Sequence, residues 1–391
     1  MKLALLGVGQ AGGKIVDRFL ARDASAEGGG IIEDVLVINT AKTDLNGLRN
    51  VPDDRRLLIG ETEVGGHGVG GDNELAAKIA EGELEEIQSA LTPFAVHRIE
   101  AFLVVGALGG GTGSGVAPVL ARHLQELYAE PVYGLGILPG SDEGGIYSLN
   151  AARSLQTLVD HVDNLLLFDN EAWRTTGESV DASFYDMNAE LLKQLDPLFR
   201  AGEIEEGEQI AESVVDTSEI INTLSGGGVS TIGYAEDTSV ETVESGSKGL
   251  LARFKSNDEP EIDSATATNR ITSLIRQATR GRLTVPAEVA STERGLVVVA
   301  GPPSHLNRKG IEQGRRWLEA ESGSMHIRGG DYPWSRDVVA VTVLLGGVTD
   351  VPRLDQLKAQ AVEARRNLED IRERHDESID SLSTEELDSL L

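Results

Sequence analysis

Between Leu108 and Pro118 the chain reads LGGGTGSGVAP, with five glycines. Glycine loses more conformational freedom on folding than any other residue, so a cluster of it marks a place where backbone turns sharply or lets something approach closely. The flanks narrow the choice. Ala101–Ala107 (AFLVVGA) is a continuous apolar run of the kind a buried parallel strand carries, and Val116–Leu127 reads as a helix, with Val116, Val119, Leu120, His123 and Leu127 at helical spacing. A glycine loop between the carboxyl end of a strand and the amino end of a helix leaves free N–H groups aligned with the helix dipole, which is a cradle for an anion. With two hydroxyls interleaved, Gly109, Gly110, Gly111, Thr112, Gly113, Ser114 and Gly115 are expected to bind phosphate.

The surroundings of this loop set the fold class. Apolar runs at Lys2–Leu6, Asp34–Asn39, Ala101–Ala107, Val132–Leu138 and Leu165–Phe168 alternate with helical patterns over about Gly12–Arg22, Asn73–Ala90 and Tyr147–Val162. Such alternation means a doubly wound parallel sheet with ligand at the carboxyl ends of its strands. A long helical stretch, Phe184–Phe199, follows. A second unit then has strands at Val229–Ala235, Gly295–Ala300 and Val338–Leu345, and helices at Ala265–Thr279 and Arg308–Ala320. The expected architecture is an α/β domain over 1–183, a connecting helix over 184–203, a smaller α+β domain over 204–353 and an acidic helical tail over 354–391. Residues 236–263, rich in Glu, Ser, Gly and Asp, read as a mobile insertion.

Composition bounds the partners. The 391 residues include 64 acidic against 35 basic side chains, a formal net charge of −29. A surface so negative argues against nucleic acid or an anionic membrane as partner. The acid is spread along the whole chain, Arg outnumbers Lys and aromatics are few, which suits a protein kept soluble in strong salt. The absence of cysteine excludes disulfides and thiolate metal sites. The start, MKLALLGVGQAGGK, has neither cleavage site nor spanning length, so a cytoplasmic location is expected.

Two familiar glycine motifs nearly fit and fail. Gly7–Gly12 (GVGQAG) matches G-x-G-x-x-G, but the strand after it ends Ile38-Asn39-Thr40 without the acid that would hold a ribose, so a nicotinamide-dependent oxidoreductase is the weaker alternative. A Walker loop fails because Gly13-Lys14 precedes Ile15 and not a hydroxyl. A further loop, Gly65–Glu74 (GGHGVGGDNE), precedes another helix. Three glycine loops at neighbouring strand ends can wrap a triphosphate from several sides. The expected cofactor-binding set in this part of the chain comprises Gly9, Gln10, Ala11, Gly12, Lys14, Asn39, Gly68, Gly70, Gly71 and Asp72 together with Gly109–Gly115.

This combination resembles the tubulin and FtsZ superfamily, whose signature GGGTGSG stands unbroken at Gly109–Gly115, and within it the archaeal CetZ branch. The resemblance runs from Gly7 to about Arg353 and implies GTP and GDP as ligands, with magnesium. Gln10 stands where the family contacts phosphate or its magnesium; the FtsZ aspartate after Asn-Thr is replaced by Ala41-Lys42, which leaves Asp44 or Asp72 to act through water. Asp169-Asn170-Glu171-Ala172 matches DNEA, making Asn170 the partner of the guanine edge, while Tyr185 stacks on the base and Asn188 offers it an amide. Pro139–Ser154 resembles the ribose and phosphate loop, with Pro139, Glu143 and Asn150 as its contacts.

The phosphate loops hold no general base. Val214–Glu219 (VVDTSE) is similar to the family stretch whose acids reach the nucleotide on the next subunit, which implies that Asp216 and Glu219 are catalytic in trans and that the chain is a GTPase assembling head to tail. Their spacing of three would put both acids on one helix face. The branch also implies control of cell shape. A GTP-binding regulator that assembles weakly or with a partner is the alternative, and a tail-binding protein would suit the stretch after Gln360, with its late leucines Leu387, Leu390 and Leu391.

Overall fold

Where apolar runs are continuous the chain forms the middle of a single large sheet, and where they recur every third or fourth residue it forms the helices that cover both faces. The computed structural model describes residues 1–26, 29–174, 180–201, 203, 214–238 and 264–388. The expected insertion falls largely outside them, over 239–263, as do Leu390 and Leu391. The first half runs β1 (Leu3–Val8), α1 (Gly9–Ala24), β2 (Ile32–Asn39), α2 (Lys42–Asn46), β3 (Arg56–Leu58), α3 (Glu61–Val64), α4 (Asn73–Gly82), α5 (Leu84–Leu91), β4 (Ala101–Ala107), α6 (Gly111–Leu127), β5 (Val132–Leu138), α7 (Gly145–Leu158), β6 (Asn164–Asp169) and α8 (Asn170–Trp173). The second half runs α9 (Val180–Arg200), α10 (Thr217–Leu224), β7 (Val229–Asp237), α11 (Ser264–Arg280), β8 (Arg294–Gly301), α12 (Arg308–Ser322), β9 (His326–Pro333), β10 (Val339–Val348) and α13 (Pro352–Asp388).

Among the described residues the strands form one sheet in the order β3-β2-β1-β4-β5-β6-β7-β10-β8-β9. From β3 to β7 every pairing is parallel, and β10 lies antiparallel between β7 and β8. The doubly wound expectation holds, but the second unit does not build a separate sheet: β7 pairs with β6 at Leu165–Val229 and Leu166–Ser230 and carries the sheet onward. β9 (HIRGGDYP) lacks an apolar alternation and was not expected. It pairs in parallel with β8 along its length.

Side-chain alternation divides the core by face. Leu3 and Leu5 of β1 pack with Ile15 and Phe19 of α1 and with Leu191, Leu195 and Leu198 of α9, whereas Ala4, Leu6 and Val8 pack with Val116 and Leu120 of α6. Burying whole strands of Leu and Val on both faces contributes about 25 cal/mol per Å² of apolar surface removed from water.

The tail departs from a solvated helix. α13 begins at Pro352, and Ala361 and Ala364 pack on Leu149 of α7, with Leu368 and Ala152 beside them. A Cβ on Gly145 would lie 2.9 Å from the Ala364 Cβ, so the small residues let the two helices approach closely. Beyond Leu368 the helix carries exposed Ile371.

Candidate functional site

Because β1, β4, β5 and β6 are parallel, their carboxyl ends, Val8, Ala107, Leu138 and Asp169, emerge at one end of the sheet. The glycine loops meet there, in a different form from a free loop. α6 begins at Gly111, so Gly111–Gly115 are the opening turn of a helix and only Leu108–Gly110 link it to β4. Packing explains why that turn is glycine. A Cβ on Gly113 would overlap the carbonyl oxygen of Ala107, one on Gly115 that of Asn73, and one on Gly111 the Val69 side chain. α1 likewise opens at Gly9, in the left-handed region at φ 70°, and a Cβ on Gly12 would overlap the carbonyl of Val105. Glycine here lets three backbones touch. By contrast, a Cβ on Gly70, Gly71 or Gly110 would meet nothing within 4 Å. That open side is the hollow into which the N–H groups of two helix starts can point.

Polar side chains lock the loops together. Thr40 and Thr112 hydroxyls lie 2.7 Å apart. Gly68 N–H donates to the Thr40 carbonyl at 3.0 Å, and Lys42 N–H to that of Gly66 at 2.9 Å. Gln10 Nε2 and Asn39 Nδ2 both donate to the Asp44 carboxylate, at 3.1 and 3.2 Å. The structure therefore brings Gln10, Asn39 and Asp44 together, with Lys14 exposed one turn further along α1. Asp72 caps α4 by accepting from Leu75 N–H at 2.9 Å.

Three of the residues expected at the nucleotide also brace the loops. Asn150, expected at ribose, is 1% exposed, and its amide donates to the carbonyls of Gly71 (2.7 Å) and Gly109 (3.1 Å), so both of its N–H bonds go to the loops. Asn39 is 2% exposed; its Oδ1 accepts from Ala41 N–H while its amide holds Asp44. Ser114 is buried and its hydroxyl donates back to the carbonyls of Gly110 and Gly111, as a serine in a helix start commonly does. In each case a short polar side chain satisfies loop backbone that burial would otherwise leave unpaired.

The other wall is formed by the β5 and β6 ends. Pro139 packs beside Gly109, and the half-buried Glu143 accepts from Gly140 N–H at 2.7 Å. Asp169 caps α8, which begins with the buried Asn170, by accepting from Glu171 N–H. Sequence reasoning missed what holds this wall: Arg353, the second residue of α13 and 5% exposed, donates to Asp169 Oδ1 at 3.1 Å and to the Pro139 carbonyl at 2.6 Å. Burial raises the Asp169 pKa, and Arg353 opposes that rise. No local pattern marks a lone arginine after a proline as the counter-ion of a residue so far back in sequence. On α9, Tyr185 is 63% exposed, and Asn188 one turn on is half-buried.

Asp216 and Glu219 lie at the opposite end of the sheet. Thr217 Oγ1 donates to Glu100 Oε2 at 3.3 Å, and the same carboxylate accepts from Lys2 N–H, so α10 starts beside the amino ends of β1 and β4. At 3.3 Å per residue, the length of β1 puts these acids about 20 Å from the glycine loops. The two are not side by side on the helix. Asp216 is the N-cap of α10: its Oδ1 accepts from Glu219 N–H at 3.0 Å and from Ser218 Oγ at 2.6 Å. Capping wins because a carboxylate at the N-cap adds an acceptor for the N–H groups of the first turn, here that of Glu219, which also reaches the Asp216 carbonyl at 3.1 Å. The Ser218 hydrogen bond lowers the Asp216 pKa, whereas burial, and then the charge of Asp216, raises that of Glu219.

Two family models together span residues 2–363. The family described as Tubulin/FtsZ family, GTPase domain, matches residues 2–177, and that described as Tubulin-like CetZ, C-terminal domain, matches residues 177–363. The chain belongs to the tubulin/FtsZ family. Within it the chain is CetZ-like: it is 58% identical over 376 residues to the Tubulin-like protein CetZ1 of Haloferax volcanii, covering 95% of each chain. Its fold superposes on CetZ1 from Haloferax volcanii, a GDP-bound monomer, with a TM-score of 0.82 at 53% identity, over 93% of this chain and 100% of that one. For CetZ2 of the same organism, a GTPγS-bound protofilament, the values are 0.81 and 40%, over 94% and 100%. FtsZ from M. jannaschii, at 21% identity and a TM-score of 0.64, shares the fold. The oxidoreductase alternative falls away.

Proposed function

We propose that this chain binds GTP and GDP in the glycine-loop hollow, hydrolyses GTP and assembles head to tail, with the attacking water oriented by Glu219 of the next subunit. The observation that carries the reading is the separation of its two halves. The phosphate cradle and the only expected catalytic acids occupy opposite ends of one sheet, about 20 Å apart, so one copy cannot complete its own site. Stacking a second copy on the glycine end brings its α10 over the first copy's nucleotide, and a contact that repeats without closing gives a filament.

The roles follow from chemistry. Helix-start N–H groups of α1 and α6 take the phosphates, with Gln10, Lys14 and Thr112 beside them; Asn170 and Asn188 read the guanine edge, Tyr185 supports the base, and Glu143 lies toward ribose. Transfer of the terminal phosphoryl group to water needs a positioned nucleophile and compensated charge. Glu219, whose half-buried carboxyl binds a proton more tightly than an ordinary glutamate, suits water polarisation. Asp216 fixes the helix start and, by its charge, keeps Glu219 basic.

Magnesium usually keeps several waters and takes phosphate oxygens with one or two carboxylates, supplying charge neutralisation. Among the described residues no cluster of three acidic or histidine side chains is placed to cage a metal, and Asp44, already fixed by Gln10 and Asn39, fits contact through water. The CetZ group and the charge of −29 support a cytoplasmic role in shaping an archaeal cell in strong salt. No described helix is long and apolar enough to cross a membrane. Exposed Ile371 and Val362 on α13 are where a tail-binding protein would sit.

The test is GTP turnover together with sedimentation at high KCl. Wild type should pellet and hydrolyse, with turnover per subunit rising with protein concentration, while Glu219→Ala pellets and turns over about 100-fold more slowly. Turnover independent of concentration and indifferent to Glu219→Ala would reject the shared site.

A further inference from the structure

Gln10, Lys14 and Arg18 are spaced four apart on α1 and form one polar column, with Ile15 and Phe19 buried on the opposite side. The first lies among the phosphate loops. The last reaches across to α9: the Arg18 guanidinium carbon sits 3.5 Å from the centroid of the Tyr185 ring, and Nη1 donates to the Tyr185 carbonyl at 2.6 Å. One ring face is therefore covered by a cation, and Tyr185 as a whole is still 63% exposed, which leaves the other face to solvent.

We propose that Arg18 is a positioning residue for the base: it clamps Tyr185 from beneath, and guanine stacks on the free face as the third layer of an Arg18–Tyr185–base sandwich. The inference rests on the reading of Tyr185 as the base platform. Two physical effects carry it. A guanidinium over an aromatic face is attracted to the ring quadrupole, and its planar fork holds the adjacent carbonyl at the same time, which fixes both the ring and the backbone that bears it. A ring already fixed loses less freedom when the base arrives, so affinity gains from preorganisation. The arrangement also ties base platform and phosphate cradle to a single helix, since α1 starts in the one and Arg18 supports the other. Arg22, one turn further, makes no such contact; it pairs with Asp196 at 3.0 Å.

GTP binding measured by titration calorimetry on wild type, Arg18→Met, Arg18→Lys, Tyr185→Ala and the Arg18→Met/Tyr185→Ala pair tests this, with thermal melting to show that each variant is folded. Arg18→Met should weaken GTP about 3- to 10-fold, and Arg18→Lys, which keeps the charge and loses the fork, by less. Once Tyr185 is gone, removing Arg18 should change affinity less than twofold. In turnover the Arg18→Met loss should fall on KM more than on kcat. Tighter GTP binding by Arg18→Met would mean that the guanidinium occupies the base's own place and would overturn the proposal, as would a loss of the same size with and without Tyr185. Unchanged GTP affinity in Tyr185→Ala would instead overturn the platform reading, and the sandwich with it.

Discussion

At the carboxyl end of β1, β4, β5 and β6, backbone lies directly on backbone: Gly12 against Val105, Gly113 against Ala107, Gly115 against Asn73, with Asn150 buried across two loops. At the amino end, α10 presents Glu219 on a short helix capped by Asp216, tied to Glu100 through Thr217 and anchored in the core by Ile220 and Leu224. The first surface is braced by backbone contacts that admit no added atom at Gly12, Gly113 or Gly115, around a hollow that stays open at Gly70, Gly71 and Gly110. The second is a half-exposed pair of acids with no ligand chemistry of its own. On the proposed reading, preorganisation is concentrated where the nucleotide binds, and the acids of the other end act only when a neighbouring copy places them against it.

Substitutions at the two ends should therefore fail in different ways. The largest effect is expected at the nucleotide end from Arg353→Met, which leaves the buried Asp169 carboxylate without its counter-ion and should cost about 3 to 5 kcal/mol in urea unfolding, with a parallel loss of GTP affinity. Next comes a pair of identical substitutions. Gly12→Ala forces a methyl into the Val105 carbonyl and should cost about 1 to 3 kcal/mol or more, whereas Gly110→Ala, where nothing lies within 4 Å, should stay within about 0.5 kcal/mol by the same measurement. If the two were equal, the hollow would not be built by backbone contact.

At the acid end, Asp216→Ala removes a cap and should cost about 1 kcal/mol. Its diagnostic effect is on pH. The negative charge of Asp216 contributes to the raised Glu219 pKa, so its removal should lower that pKa and move the acidic limb of the turnover profile to lower pH. An acidic limb that stays where it is would separate Glu219 from the titration. The smallest effect is on assembly: a chain of charge −29 stacks against its own repulsion, so pelleting with GTP should increase from low to high KCl, and light scattering that falls with salt would count against direct head-to-tail contact.

Much of the nucleotide end was legible in the chain because glycine spacing and apolar continuity are local signals. GGGTGSG, the strand before it and the alternation around it suffice for the parallel sheet and the placement of the loops. The sequence could not reveal that Gly111–Gly115 already belong to α6, since helix propensity argues against glycine and only the packing of Val69, Asn73 and Ala107 requires it. Nor could it show which amides brace the loops: Asn150 and Asn39 carry the same amide as Asn170, and only their partner atoms reveal the bracing. Arg353 and Arg18 act across 184 and 167 positions, beyond any periodic pattern. β9 stayed hidden because RGGDYP carries no alternation and is a strand only through β8.

The most direct test of the central claim mixes two inactive chains. Glu219→Ala keeps an intact cradle and lacks the acid; Gly110→Asp places a carboxylate in the open phosphate hollow, so that it should repel GTP, and keeps the acid. If each site is completed by a neighbour, an equimolar mixture at high KCl should hydrolyse GTP at a substantial fraction of the wild-type rate, although neither chain does so alone. A mixture as inactive as its components, under conditions where both co-sediment, would contradict the shared site.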